Sequence, residues 1–120
     1  YDHSCVLLAL AHAHRCGHPE ALRLADETLD FIDTHLEDAS LNGFLETPGG
    51  KAVRNSNPHM HMLEAFLAWY NVTGERSYLR RAARGIDLFR CHFFDAESWT
   101  LGERFDPDWQ PLPGTDGQWT

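Results

Sequence analysis

The sequence contains no hydrophobic stretch long enough to cross a membrane. Its longest apolar run covers residues 5–11 and is ended by His12, whereas a transmembrane helix needs about 20 apolar residues. No secretory signal peptide is recognisable at the N-terminus. The chain opens on Tyr1 rather than on Met, which leaves open where the natural protein begins. We therefore predict no membrane-spanning segment.

Basic residues are also few. The chain has 10 lysines and arginines against 18 aspartates and glutamates, which gives a formal net charge of −8. A surface of this sign repels nucleic acid backbones and anionic lipid headgroups. The composition therefore argues against a nucleic-acid partner and against a membrane partner.

The three cysteines are too few and too widely spaced for a disulfide framework. Cys5, Cys16 and Cys91 lie within helical patterns, and no CxxC pair is present. Structural zinc sites normally draw on such closely spaced pairs. We therefore expect no zinc, and buried, reduced thiols in a cytoplasmic protein.

The sequence does contain ample apolar residues and an internal repeat. Hydrophobic residues make up 42% and aromatic residues 12% of the chain, which is typical of a folded domain. Placing Gly17 on Gly74, a shift of 57 residues, aligns residues 8–46 with residues 65–103. His35 then falls on His92, among other identical pairs. Self-similarity at a fixed period indicates a repeat architecture.

Each repeat is predicted to be a helical hairpin followed by a long loop. The first helix of each unit, residues 3–15 and 58–72, is apolar on most sides, which is typical of a covered inner helix. The second helix is apolar on one face only. That face is predicted to hold Leu22, Ala25, Leu29, Ile32 and Leu36 in the first unit, and Leu79, Ala82, Ile86, Phe89 and Phe93 in the second.

Alternating inner and outer helices predict an all-α fold of two helical hairpins with long loops, as in an α/α solenoid or a closed toroid. The repeat units are residues 1–57 and 58–120, within one partial domain over residues 1–120 and with no second domain. Two hairpins cannot close a ring, so we expect this chain to be a piece of a longer one. The loops, about residues 38–56 and 95–120, are long enough to be functional. Within them, residues 44–46 and 101–103 are candidates for short strands.

A polar stripe marks the start of the second inner helix. Asn57 is predicted to be the N-cap and Pro58 the first helical residue. At 100° per residue, Asn57, His61 and Glu64 share a stripe about 60° wide on an otherwise apolar helix. Such a stripe is either a satisfied polar cluster, with Glu64 bonded to His61, or the wall of a wet cavity where these groups hold a ligand. Spacing alone leaves both interpretations open.

A metal site is not expected at this helix. His59 and His61 point about 160° apart on a helix and cannot readily chelate one ion. We expect His59 to face a neighbouring helix instead.

The string NPHMHMLEA, residues 57–65, closely resembles the signature of the N-acylglucosamine 2-epimerase family, which includes mannose isomerases and cellobiose 2-epimerases. Residues 66–68 and 73–74 extend the likeness, residues 1–3 resemble the upstream segment of the family, and residues 105–109 its downstream loop. The resemblance spans nearly the whole chain.

This resemblance implies an (α/α)6 barrel and a cofactor-free, metal-independent reaction on an open-chain sugar. A base would remove the proton alpha to the carbonyl, and its return would give an epimer or a ketose. By carry-over, His61 and Glu64 would be catalytic, while Asn57, Tyr1 and Arg54 would bind substrate. For Arg54, a solvated loop position is the alternative interpretation.

The resemblance also implies that the two principal proton-transfer histidines of the family lie beyond Thr120. We therefore expect the 120 residues alone to be inactive. Mannose–fructose isomerisation is the first expectation and N-acylglucosamine 2-epimerisation the second, with cellobiose 2-epimerisation as an alternative. The expected partner is a small-molecule sugar, and a homodimer of the full-length protein stays open.

Two rival functions can be weighed. A glycoside hydrolase needs two carboxyl groups across a cleft, and Glu64 is the one obvious candidate in the sequence. A non-catalytic α-repeat scaffold would expose a solvated inner face, whereas residues 60–70 are almost continuously apolar. A basic stretch on the second outer helix, Arg80, Arg81 and Arg84, is expected to be a solvated face or half of a dimer contact.

Overall fold

The computed structural model describes residues 1–38, 43–50 and 53–113. Four helices dominate it: α1 (Asp2–Arg15), α2 (Ala21–His35), α3 (Ser56–Thr73) and α4 (Arg76–Leu88), the last of which continues as a π-helical turn over Phe89–Phe93. Residues 39–42, 51–52 and 114–120 belong to the two predicted loops and lie outside the described residues. The two predicted helical hairpins are confirmed.

The turns of the two hairpins use the same backbone device. Gly17 and Gly74, which the repeat aligns, have φ values of 83° and 73°. Glycine adopts this left-handed conformation without the steric cost that a Cβ brings. The amide of Gly74 closes the end of α3 by donating to the carbonyl of Tyr70 at 2.8 Å.

The helices form two layers, with α1 and α3 packed side by side and α2 and α4 flanking them. Trp69 of α3 is fully buried, and its indole N–H donates to the carbonyl of Leu7 in α1 at 2.9 Å. Its ring also stacks on Tyr78 of α4 at 5.7 Å between centroids. Trp69 therefore joins both inner helices to one outer helix.

The apolar faces of the outer helices are slightly rotated from the predicted ones. Ala25, Ile32 and Ala82 are buried as expected, but Leu22, Leu79 and Ile86 are exposed, at 44%, 37% and 45%. These three leucine and isoleucine side chains lie at the edge of the predicted stripes, because Ala21 and Tyr78 take positions in the buried faces instead. The prediction that they belong to the core is wrong for the described residues.

Opposite charges join the two outer helices. The guanidinium of Arg81 donates to both carboxylate oxygens of Asp33, at 2.7 and 2.5 Å, and Arg84 lies 3.4 Å from Glu37. The hydrogen bonds that Arg81 donates to Asp33 raise the pKa of Arg81. The expectation of a solvated face holds for Arg80 and Arg84, which are exposed, but not for Arg81, which pairs with Asp33.

Among the residues that the structure describes, three short antiparallel ladders connect the helices. They pair β1 (Glu37–Asp38) with β2 (Gly43–Phe44), β3 (Arg54–Asn55) with β6 (Arg104–Phe105), and β4 (Phe94–Asp95) with β5 (Thr100–Leu101). Strands were predicted at 44–46 and 101–103, close to β2 and β5. The two-stranded ladder of β3 and β6 was not predicted, because its halves are some fifty residues apart in sequence and have no distinctive composition.

This ladder explains why α3 starts earlier than predicted. The N-cap is Asn55 rather than Asn57, and its side chain makes no capping hydrogen bond. The amide of Ser56 donates instead to the carbonyl of Glu103 at 2.9 Å. A backbone carbonyl of the second loop thus replaces the side-chain acceptor of an ordinary N-cap. Pro58 lies in the first turn, where its missing N–H costs nothing.

A second, smaller core lies beside the π-helical turn. It consists of Leu88, Phe93 and Phe105, with Trp109 packed against them. The wider π-helical turn carries Phe93 inward, where it is 1% exposed, and brings the ring of His92 onto Trp109 at 4.2 Å between centroids. This core anchors the second loop at the N-terminal end of α3.

The cysteines differ from expectation in one respect. All three are free, but Cys16 and Cys91 are exposed rather than buried. Within residues 1–38, 43–50 and 53–113, no helix is both long and apolar enough to cross a bilayer.

Candidate active site

The polar stripe of α3 meets the start of α1 at one end of the inner layer. His61 Nδ1 lies 2.8 Å from Glu64 Oε2, so the carboxylate can accept the Nδ1 proton and fix the orientation of the ring. The ring of Tyr1 lies edge-on to that of His61, at 5.3 Å between centroids and 77° between planes. The structure thus brings together three of the five predicted site residues.

This cluster is accessible to a ligand. The side chains of His61 and Glu64 are 25% and 51% exposed, and Asn57, one turn earlier on the same face, is exposed as well. A hydrogen bond with Cys5 raises the pKa of Tyr1. With Nδ1 bonded to Glu64, Nε2 is the ring nitrogen of His61 that is left to accept a hydrogen bond or a proton.

Arg54 is not a solvated loop residue, and that interpretation is wrong. It is fully buried, and its Nη2 donates to Asp38 Oδ2 at 2.9 Å. Its guanidinium also lies 5.0 Å from the ring centroid of Trp109, a distance typical of a cation–π contact. Within the described residues, Nε and Nη1 have no hydrogen-bond partner. Arg54 is therefore buried beside the start of α3. Its predicted contact with a sugar is not supported by this buried position.

His59 is likewise buried, at 4% exposure. Its Nδ1 lies 2.6 Å from the carbonyl of Asn55, and its Nε2 accepts the amide of Phe44 at 3.0 Å. Both nitrogens are used, which fixes the neutral tautomer with the proton on Nδ1. The expectation that His59 faces a neighbouring helix is only partly right: it packs on Phe93, which follows α4, but its hydrogen bonds go to β2 and to the residue before α3.

The hydrogen bonds of His59 and His61 limit the ability of either ring to bind a metal ion. His59 has no nitrogen left for an ion, and His61 Nδ1 is engaged with Glu64. Across the described part of the chain, no group of three or more His, Cys, Asp or Glu side chains is placed to hold a metal ion.

Comparison with known proteins identifies the family. A model described as N-acylglucosamine 2-epimerase (GlcNAc 2-epimerase) matches residues 1–119. The chain belongs to the N-acylglucosamine 2-epimerase family. The chain is 34% identical to a D-mannose isomerase of Thermobifida fusca, over 92% of this chain and 28% of that protein. It is 35% identical to a mannose-6-phosphate isomerase of Rhizobium meliloti, over 98% of this chain and 32% of that protein.

A solved structure agrees with these relatives. The cellobiose 2-epimerase of Bacillus thermoamylovorans superposes with a TM-score of 0.82 at 25% identity, covering 93% of this chain and 33% of that one. The chain therefore spans about a third of the length of the proteins it matches. Its named relatives in the family are sugar isomerases and epimerases.

The sequence did not reveal the residues that pack against the side of α3 opposite Asn57 and His61. His59 was visible inside NPHMH, but its role depends on an amide from β2, fifteen residues upstream. No sequence pattern pointed to Asp38. Trp109 was noticed only because residues 105–109 resemble the downstream loop of the family.

The buried imidazole predicts a pH dependence of stability. Burial of the ring lowers the pKa of His59 from 6.5 to about 4; the bond to Asn55 opposes this and the charge of Arg54 adds to it. Because the folded state binds this proton less readily than the unfolded state, the contribution is complete above pH 6.5 and is lost as the pH falls towards 4. The stability lost over that range is about 3 kcal/mol.

Urea unfolding between pH 4 and pH 7 would measure this, in the longest natural chain that contains these residues. His59→Gln provides the control, because glutamine does not titrate. We expect the stability advantage of wild type over H59Q to shrink as the pH falls from 6.5 to 4. A constant difference over that range would contradict the lowered pKa of His59.

Proposed function

We propose that this chain forms part of the active site of a sugar isomerase or epimerase built on an (α/α)6 barrel, in which α1 and α3 are inner helices. The observation that carries the proposal is the cluster of Tyr1, His61 and Glu64, accessible at the N-terminal end of α3. Its residues come from both repeats, as expected if inner helices surround a shared cavity. The proposal includes the expectation that residues 1–120 form one partial domain with repeat units 1–57 and 58–120.

The reaction would run through an enediol. A base removes the proton at C2 of the open-chain aldose, and the electron pair moves onto the carbonyl oxygen at C1. Return of a proton to the opposite face of C2 gives the epimer, and return to C1 gives the ketose. His61 is suited to binding a sugar oxygen through Nε2, since Glu64 holds its other nitrogen. Asn57 and Tyr1 would bind neighbouring hydroxyl groups.

The base itself would come from segments outside these 120 residues. We infer that the proton at C2 is moved by histidines on other inner helices, and that residues 1–120 alone are therefore inactive. A cytoplasmic location is part of the proposal, and the three free thiols support it.

Mannose is the first substrate we expect, with fructose as the product. The D-mannose isomerase of Thermobifida fusca, at 34% identity, favours it. The similarity to a mannose-6-phosphate isomerase, at 35% identity, raises a phosphorylated sugar as the second candidate. The buried position of Arg54 removes the most obvious phosphate ligand in the described residues, which favours the free sugar.

Proton NMR in D2O would test the proposal with the longest natural chain that contains residues 1–120. Mannose, mannose 6-phosphate, N-acetylmannosamine and cellobiose would be supplied separately. We expect new sugar signals with deuterium at C2 or C1, and none from residues 1–120 alone. A folded full-length protein that neither converts nor exchanges any of them would overturn the proposal, and a scaffold that binds another protein would then be favoured.

A further inference from the structure

Three side-chain contacts join the residues around the start of α3 to the segment that follows α2, and together they form a junction. The guanidinium of Arg54 donates to Asp38 at 2.9 Å, the side-chain amide of Asn55 donates to the carboxylate of Glu46, and His59 accepts the backbone amide of Phe44 at 3.0 Å. All three contacts lie within one turn of the start of the helix.

His59 is the member of this junction that belongs to the helix itself. At 100° per residue it points about 160° away from both Asn57 and His61. The front of the first turn therefore carries the site residues, while the back is held by the Phe44 amide. A rotation or shift of the turn that moved Asn57 or His61 would have to break or stretch the bond at His59.

The junction leaves no room for a side chain at Gly43. A Cβ atom at this position would lie 3.1 Å from His59 Nε2 and 3.1 Å from Arg54 Nη1. Contacts this short are rare, and neither partner can retreat, because both side chains are buried. The backbone of β2 can approach the imidazole closely only because residue 43 is glycine.

We propose that His59 is a positioning residue of the sugar site, which holds β2 against the back of α3 and thereby keeps Asn57 and His61 in the geometry that binds substrate. The inference rests on the proposed function. His59 cannot itself touch a sugar, because it is buried and both of its nitrogens are occupied within the protein. Its effect passes through the first turn of α3, where a displacement of Asn57 or His61 would weaken their hydrogen bonds to the sugar.

Two substitutions of His59 separate its two hydrogen bonds. Asparagine places a polar atom where Nδ1 stands and keeps the contact with Asn55, but it cannot reach Phe44. Glutamine places an oxygen where Nε2 stands and can still accept the Phe44 amide. In the full-length enzyme we expect H59N to raise KM on the order of tenfold with a much smaller change in kcat, and H59Q to recover most of that loss.

Gly43→Ala tests the same junction from the other side. It changes no residue of α3, but its Cβ would lie 3.1 Å from His59 Nε2 and from Arg54 Nη1 and is expected to push β2 away from both. We expect G43A to raise KM as H59N does, and the double variant to be no worse than the more severe single one, because both disturb the contact between β2 and His59. Amide hydrogen exchange of Phe44 should accelerate in both variants. His18→Asn, on the exposed turn after α1, is the matched control and should leave KM unchanged.

The outcomes distinguish this inference from the proposed function. If wild type converts no sugar, the proposed function fails and the positioning role falls with it. If wild type is active but H59N and G43A lower only the thermal midpoint and leave KM unchanged below it, His59 is a structural residue and the positioning inference is overturned. Additive effects of H59N and G43A on KM would likewise overturn it. If H59N does not fold, the comparison of G43A with H59Q decides by the same criterion.

Discussion

Asp38→Ala is expected to lower the free energy of unfolding by about 3–5 kcal/mol, the usual loss when one partner of a buried ion pair is removed. Arg54 is 0% exposed, and Asp38 Oδ2 is the acceptor for its Nη2. Without Asp38, a guanidinium that already leaves Nε and Nη1 without partners among the described residues would also lose its counter-charge. Among the described residues, the buried charge then keeps the ring of Trp109, 5.0 Å away, but no hydrogen-bonded counter-ion, which is why the expected effect is large.

Removing both partners is expected to be less harmful than removing Asp38 alone. Arg54→Met fills the space with an apolar side chain and removes the buried charge, although it loses the contact with Trp109. The double variant D38A/R54M should therefore be more stable than D38A, as is common for buried pairs replaced by apolar groups. Urea unfolding of the four proteins, in the full-length chain, measures the difference.

Glu37→Ala is the matched control for Asp38. Glu37 precedes Asp38 in β1 and pairs with Arg84, whose side chain is 57% exposed, at 3.4 Å. Such surface pairs contribute about 0–1 kcal/mol. A loss of less than about 1 kcal/mol in D38A, equal to that in E37A, would show that Arg54 gains its compensation elsewhere and would contradict the account given above.

The sequence was sufficient to predict the layered hairpins because their signals are local. Apolar spacing placed α1 within one residue of its observed start, and the repeat of Gly17 at Gly74 marked both turns. Local signals also sufficed for the pair of His61 and Glu64, which are three residues apart on one helix. The family signature then gave these residues a chemical meaning that spacing alone left open.

What the sequence could not show depends on contacts between distant segments. Arg54 reads as a loop residue until β3 is seen to pair with β6, which brings Trp109 over its guanidinium. Asn57 reads as an N-cap until Glu103 is seen to supply the acceptor for the helix start. In both cases a short strand of two residues, too short to leave a periodic pattern, decides the environment of the side chain.

The second large effect is expected at His61. Asparagine at this position can keep the contact with Glu64 through the atom that replaces Nδ1, but it removes Nε2, the nitrogen open to the substrate. If Nε2 accepts a hydrogen bond from a sugar hydroxyl that strengthens as the enediol forms, H61N should lower kcat/KM on the order of 100- to 1,000-fold, the range seen when one transition-state hydrogen bond is lost. Deuterium exchange at C2 should slow in parallel.

Glu64 should matter through His61 rather than independently. Glu64→Gln keeps an oxygen that can accept the Nδ1 proton, whereas Glu64→Ala leaves the ring without an orienting partner, so E64A should be the more severe of the two. Residues that act as a unit are not additive, and H61N/E64A should therefore be no less active than H61N alone. His18→Asn serves again as the exposed control.

The contrary results are equally informative about the chemistry. If E64A and H61N multiply their effects, each side chain meets the substrate separately, and Glu64 is itself a candidate acid or base. If both variants keep wild-type kcat/KM while the enzyme is active, the pair is a satisfied polar cluster on the helix surface, and Asn57 and Tyr1 lose the geometric argument that places them beside the sugar. Because the side chains of His61 and Glu64 are 25% and 51% exposed and can therefore be reached by a sugar, we expect both single variants to be impaired and their effects not to multiply.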